Sequence, residues 1–126
     1  MIHNLTPHPI RIYGGSVPDR FDLGEHEPIR VLEPSKDIPA ARIGQIDLGT
    51  TYIHGVPVEY VEFASHSGLT HALPAQVDGV YYVVSLVVAI QQTYAMHRRG
   101  DLLVPYGEVR NHEGTVIGCR ELAMPV

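Results

Sequence analysis

A chain of 126 residues, 44% of them apolar and 18% charged, fits one small domain with a usable core. Its formal charge of −5 excludes the clustered cations that non-specific nucleic-acid binding needs, so no nucleic-acid polymer is expected as a partner. The single cysteine, Cys119, rules out an intrachain disulfide; the first residues lack the pattern of a signal peptide, and the run from Val80 to Ile90 is broken by Ser85 and too short to cross a bilayer, so a cytoplasmic protein without a membrane partner is expected.

The first apolar pieces, Ile2 to Leu5 and Ile10 to Tyr13, flank Thr6-Pro7-His8-Pro9. Two prolines so close forbid helix and predict edge strands or a bend. Gly14-Gly15 ends this segment, and Ser16 to Pro28 reads as a polar loop. Ile29 to Leu32 and Ala41 to Leu48 are strand candidates, the second with imperfect alternation. Thr51 to Ile53 and Val56 to Phe63 predict a hairpin about His54-Gly55. Ala64 to Gln76 is a small-residue loop carrying His66 and His71.

Val80 to Val84 is apolar on both faces, as in a central strand covered on two sides. It leads into a helix from Leu86 to Arg99, with Ser85 as N-cap and Gly100 at the stop. Leu86, Ile90 and Tyr94 recur at four-residue spacing, and Val87, Ile90 and Tyr94 share a face. Leu102 to Val104 is then a strand stopped by Pro105, and Val109 to Asn111 with Thr115 to Leu122 predicts a second hairpin. The expected class is α/β (α+β): one domain over 1–126, a mixed, mostly antiparallel sheet of about six or seven strands, and one main helix (about 86–99) in a right-handed βαβ unit.

The strand-to-helix junction is the first candidate site, because amides at a helix start can hold an anion; Ser85 is equally a plain cap. Asn4, Thr6 and His8 can hydrogen-bond a base or ribose, or satisfy their own bend. Arg99, Arg110 and Arg120 can supply cations to the same anion, or form surface pairs with groups such as Asp101. His66 and His71 lack metal-ligand spacing, so no metal and no cofactor are expected. Cys119 beside Arg120 is either an activated nucleophile or a small buried residue. Neither a dinucleotide-binding glycine motif, a P-loop nor a serine-hydrolase elbow is present.

Four segments, Asn4-Leu-Thr-Pro-His8, His54-Gly-Val-Pro-Val58, Tyr82-Val-Val-Ser-Leu-Val-Val-Ala89 and Arg110-Asn-His-Glu-Gly-Thr-Val-Ile-Gly-Cys-Arg-Glu-Leu122, give the chain a resemblance to a family of small proteins of tailed phages, prophages and actinobacteria. The resemblance implies an accessory gene in attack or counter-defence; it carries no functional residues. The Ser16 to Pro28 loop and the histidines near His66 depart from the pattern.

The reading that follows is a homo-oligomeric binding protein for an anionic small molecule such as a nucleotide or nucleotide-derived signal, held by Asn4, Thr6, His8, Ser85, Arg99, Arg110 and Arg120. The alternatives are a nucleotide-cleaving hydrolase with His8 or His71 as acid/base, and a ligand-free interaction module whose tyrosines form an interface.

Overall fold

The computed structural model describes residues 1–42, 44–63, 73–93 and 99–126, with Ile46, Phe63, Gln91 and Thr93 described by backbone alone. In chain order the elements are β1 (Ile2–Asn4), β2 (Ile10–Ile12), β3 (Arg30–Leu32), β4 (Gln45–Ile53), β5 (Val56–Phe63), β6 (Tyr81–Val83), α1 (Leu86–Thr93), β7 (Leu102–Arg110) and β8 (Val116–Ala123). Six strands form one mixed sheet in the order β1-β6-β7-β8-β2-β3, and β4 pairs with β5 in a separate two-stranded ribbon. Among the described residues the protein is thus mostly strand with one short helix, roughly α+β.

The sheet is not mostly antiparallel. Its β1–β6, β6–β7 and β2–β8 pairings are parallel, and only β7–β8 and β2–β3 are antiparallel. The cause lies in the Thr6-Pro7-His8-Pro9 bend. It separates β1 from β2, so the two cannot form a hairpin, and each joins a strand distant in sequence. The expected parallel βαβ unit is present, with Tyr82 opposite Leu102 and Val83 opposite Leu103.

The ends of the sheet meet. Asn4 and Pro34 form a parallel bridge between β1 and the residues after β3, and the Ser35 N–H donates to the Asn4 carbonyl at 2.8 Å. The sheet therefore curls into a nearly closed barrel. Its interior draws on every strand: Ile2, Ile10, Ile12, Leu32, Val83, Leu103, Cys119 and Leu122 pack together. Alternation sends Tyr82, Val84, Leu102 and Val104 to the outer face, where they pack with Leu5, Ala41 and the helix residues Val88 and Ala89. A third cluster of Tyr13, Phe21 and Val109 pins the 16–28 loop, with the Tyr13 and Phe21 rings edge-on at 4.8 Å.

Ser85 caps α1, accepting from the Val88 N–H at 3.4 Å. The packed side of α1 is not the one the spacing marked. Val88 and Ala89 are buried, while Leu86, Val87 and Ile90 stay 57%, 63% and 46% exposed. Apolar residues surround most of this helix, so periodicity identified a stripe without identifying which stripe meets the sheet. Residues 94–98 of the expected helix lie outside the described residues.

Strand β7 does not stop at Pro105. The Asp101 and Leu103 carbonyls accept from Tyr82 and Val84 N–H groups of the β6 segment. Two residues on, the backbone of Pro105 points the same way, but β6 has ended at Val83. A residue without an N–H costs no ladder bond there, and β8 continues to pair on the other side through Pro105–Leu122.

The β4–β5 hairpin turns through His54 and Gly55, whose φ values of 49° and 77° are those of a two-residue type I′ turn. Strand β4 begins at Gln45, joining two expected strands into one; a bulge between Asp47 and Gly49 produced the imperfect alternation in sequence. No helix is long and apolar enough to cross a membrane among the described residues.

Candidate functional site

At the barrel end where β2 and β8 begin lies a groove of about 520 Å³, lined in part by His8, Pro9, Arg11, Pro105, Glu108 and Ile117. Its geometry starts with Asn4, which is 2% exposed. The Asn4 Nδ2 donates to the Leu32 carbonyl at 2.9 Å and to the His8 carbonyl at 2.8 Å. Its Oδ1 accepts from the Thr6 N–H at 2.9 Å and the Thr6 hydroxyl at 2.7 Å. Every donor and acceptor of that amide is used, three bonds within the bend and one to β3. Asn4 and Thr6 therefore hold the loop that presents His8, and offer nothing directly to a ligand.

His8 itself is exposed, and its ring has no hydrogen bond or ion pair among the described residues. Arg11 is half-buried and likewise has no side-chain partner among them. The close approach that places Arg11 beside β8 depends on Gly118: a Cβ there would sit 2.5 Å from the Arg11 carbonyl oxygen. Glu108, also in the groove, is already paired with Arg110 at 2.8 Å. The groove thus combines a guanidinium and an imidazole that are unpaired among the described residues with a carboxylate whose charge is partly answered.

The other expected cations do not join them. Arg120 lines a second concavity of about 470 Å³ at the opposite end of the barrel, with Gly15, Ile29 and Arg30. Its guanidinium donates to the Val17 carbonyl and to Asp19 Oδ1, each at 2.6 Å, which fixes the 16–28 loop. Arg99 precedes β7 and makes a bidentate pair with Asp101 at 2.9 and 2.7 Å, its guanidinium 5.8 Å from the centre of the Tyr82 ring. The hydrogen bonds to Asp101 outweigh burial and raise the Arg99 pKa above its already high ordinary value. Arg110, at the far end of β7, donates to the Gly114 carbonyl at 2.8 Å and to Glu108. Eight residue steps along β7 separate Leu102 from Arg110 by roughly 26 Å.

Ser85 follows β6, whereas Arg99 precedes the parallel β7, so these two stand at opposite ends of the strand pair. The expected convergence of the helix start with Arg99, Arg110 and Arg120 is not formed. Each arginine instead balances a nearby carboxylate or carbonyl. The expected pairing of Arg99 with Asp101 as a structural contact is the version present. His66 and His71 lie outside the described residues.

Cys119 is 1% exposed in the barrel interior. Burial pushes its thiol pKa up, and backbone hydrogen bonds at Tyr106 and Glu121 oppose this only in part. A protonated interior thiol is not a nucleophile. The expected result with Ellman's reagent at pH 8 is slow reaction of the native protein and rapid reaction of one thiol per chain in guanidinium. Fast native labelling would place the thiol outside the core.

Sequence reasoning did not find the Asp22, Glu25 and His112 cluster, in which one ligand atom from each lies within 4.8 Å of the others. His112 comes from the β7–β8 turn, 90 residues after Asp22, so no local spacing signals it. All three are exposed. They occupy one another: the His112 N–H donates to Asp22 Oδ1 at 3.1 Å, the Asp22 N–H donates to Glu25 Oε1 at 3.0 Å, and His112 Nε2 is 3.5 Å from that same oxygen. The arrangement is a clasp between loop and turn. Arg11 was missed for another reason. Its place between Ile10 and Ile12 marks an outward residue on an alternating strand, but nothing local says that β8 lies beside it.

Comparison with known proteins finds no matching family model, no similar curated protein and no similar solved structure.

Proposed function

We propose that the protein binds an anionic small molecule, of the size and charge of a nucleotide, in the groove between Arg11 and His8. The observation that carries this reading is that half-buried Arg11 and exposed His8 line one groove and that neither side chain has a hydrogen-bond or ion-pair partner among the described residues. A guanidinium presents a planar fork of N–H donors matched to phosphate or carboxylate oxygens. Pro9, Pro105 and Ile117 supply an apolar wall for the uncharged part of the ligand. The groove of about 520 Å³ lies within the roughly 300–1,000 Å³ usual for small-ligand sites, and barrel ends are common places for them.

Binding is favoured over turnover by the state of His8. A general acid or base is normally oriented by a second group, and the His8 ring has no such hydrogen bond among the described residues. The test is a panel of linear and cyclic nucleotides, read by thermal shift and by product chromatography. The expected outcome is stabilisation by a member of the panel that is recovered intact. Arg11→Ala should weaken that ligand by about 10- to 100-fold, the loss typical of a charge-assisted hydrogen-bond pair. Arg30→Ala, in the opposite concavity, should leave its affinity unchanged. A new chromatographic peak would instead establish the hydrolase, and equal affinity in Arg11→Ala would remove the groove from consideration.

A further inference from the structure

Two apolar patches lack cover among the described residues. The first belongs to the β4–β5 ribbon. Its register places Gly49, Thr51 and Ile53 opposite Tyr60, Val58 and Val56, so these six residues share one face. On it Tyr60 and Val56 are each 58% exposed, and Ile53 is 52% exposed. The opposite face is more polar, with Thr50 donating to Glu59 at 2.7 Å. The second is the outward side of α1, formed by Leu86, Val87 and Ile90 at i, i+1 and i+4. A two-stranded ribbon by itself is marginal in water, and cover from a helix is one of the arrangements that stabilises it. Ribbon and helix are both exposed here, so the chain's own ribbon does not cover its own helix.

We infer that the occupant is a second copy: the apolar face of each ribbon lies on α1 of its partner, in a reciprocal two-fold exchange. Area selects this arrangement. Two ribbons stacked face to face would bury on the order of 900 Å² of surface in total even if these six residues were wholly covered, below the ~1,200–2,000 Å² of stable interfaces. Reciprocal seating of ribbon on helix adds both outward helix faces and reaches roughly 1,500 Å². The three outward helix residues are uncharged, and on the ribbon the next residue of the same face, Glu62 opposite Ile46, bounds the apolar patch at the end away from its turn. A two-fold axis also closes the exchange, because each copy gives one ribbon and receives one. The helix then lies between its own sheet and the partner's ribbon.

Sedimentation equilibrium of the full chain tests this. Wild type should show twice the 13.9 kDa of one chain. Tyr60→Asp on the ribbon and Val87→Asp on the helix should each give the single-chain mass, with association weakened by at least about a hundredfold. Tyr52→Asp, on the opposite ribbon face, should remain dimeric. All three side chains are exposed, and far-UV circular dichroism should show each variant folded. A monomeric wild type overturns the proposal. So does a dimeric Val87→Asp, which would mean ribbon on ribbon, or a dimeric Tyr60→Asp, which would mean helix on helix. An open series of larger species would rule out two-fold closure.

Discussion

Asn4→Ala is expected to lower the unfolding free energy by about 3 kcal/mol, a large share of the roughly 5–15 kcal/mol available to a small domain. The side chain is buried and serves four backbone and side-chain groups. Truncation strands the Leu32 carbonyl at a site where water does not reach, while the groups at Thr6 and His8 recover part of their loss from solvent. It also frees the bend that brings β1 to β3, because the Asn4 backbone makes the bridge to Pro34. Urea denaturation should therefore show an earlier midpoint with little change in slope. Asn4→Asp separates the contributions: it keeps the acceptor for Thr6 but removes both donors, and should be at least as damaging. A loss below about 1 kcal/mol in both variants would show that the bend holds without this amide.

Arg99→Met is expected to cost about 3–5 kcal/mol, the range for a buried charge that loses its partner. Asp101 is 3% exposed, and each of its carboxylate oxygens accepts a hydrogen bond from Arg99. The pair sits where the chain enters β7, and the Asp101 carbonyl accepts from the Tyr82 N–H at 2.8 Å. Methionine retains most of the aliphatic packing over the Tyr82 ring, so the loss reports mainly the stranded carboxylate. Adding Asp101→Asn to Arg99→Met should recover more than half of the loss in thermal and urea unfolding. Without that recovery, the stabilising element would be the arginine's packing rather than the ion pair.

The legible parts of the fold were those decided by a few adjacent residues. His54-Gly55 demands positive φ at both positions, which almost dictates a hairpin. Val80 to Ser85 announced a buried strand leading into a cap, and both are present. What the sequence hid was decided at long range. Pro105 looks like a strand terminator unless one knows that β6 stops two residues earlier in the neighbouring register. The parallel pairings of β1 and β2 depend on strands that arrive about 80 to 110 residues later. The site failed to show itself for the same reason. Arg120 looks available until Asp19, 101 residues away, is found against it. Arg11 looks ordinary until it is found in the groove with no partner among the described residues. His8 was the one candidate retained in the proposed groove, because its place beside the proline bend fixes its exposure locally.

The position of β8 governs when this molecule can assemble. It is the last strand in chain order, yet it lies inside the sheet, between β7 and β2. Without it, β1, β6 and β7 are one group of paired strands and β2 with β3 another, linked by the isolated Asn4–Pro34 and Arg20–Arg110 bridges rather than by a strand pairing. The nascent chain must hold two incomplete, open-edged sheets until β8 emerges from the ribosome and zips them together. Closure of the sheet therefore waits on β8, and any earlier pairing leaves the edges of β7 and β2 open to aggregation.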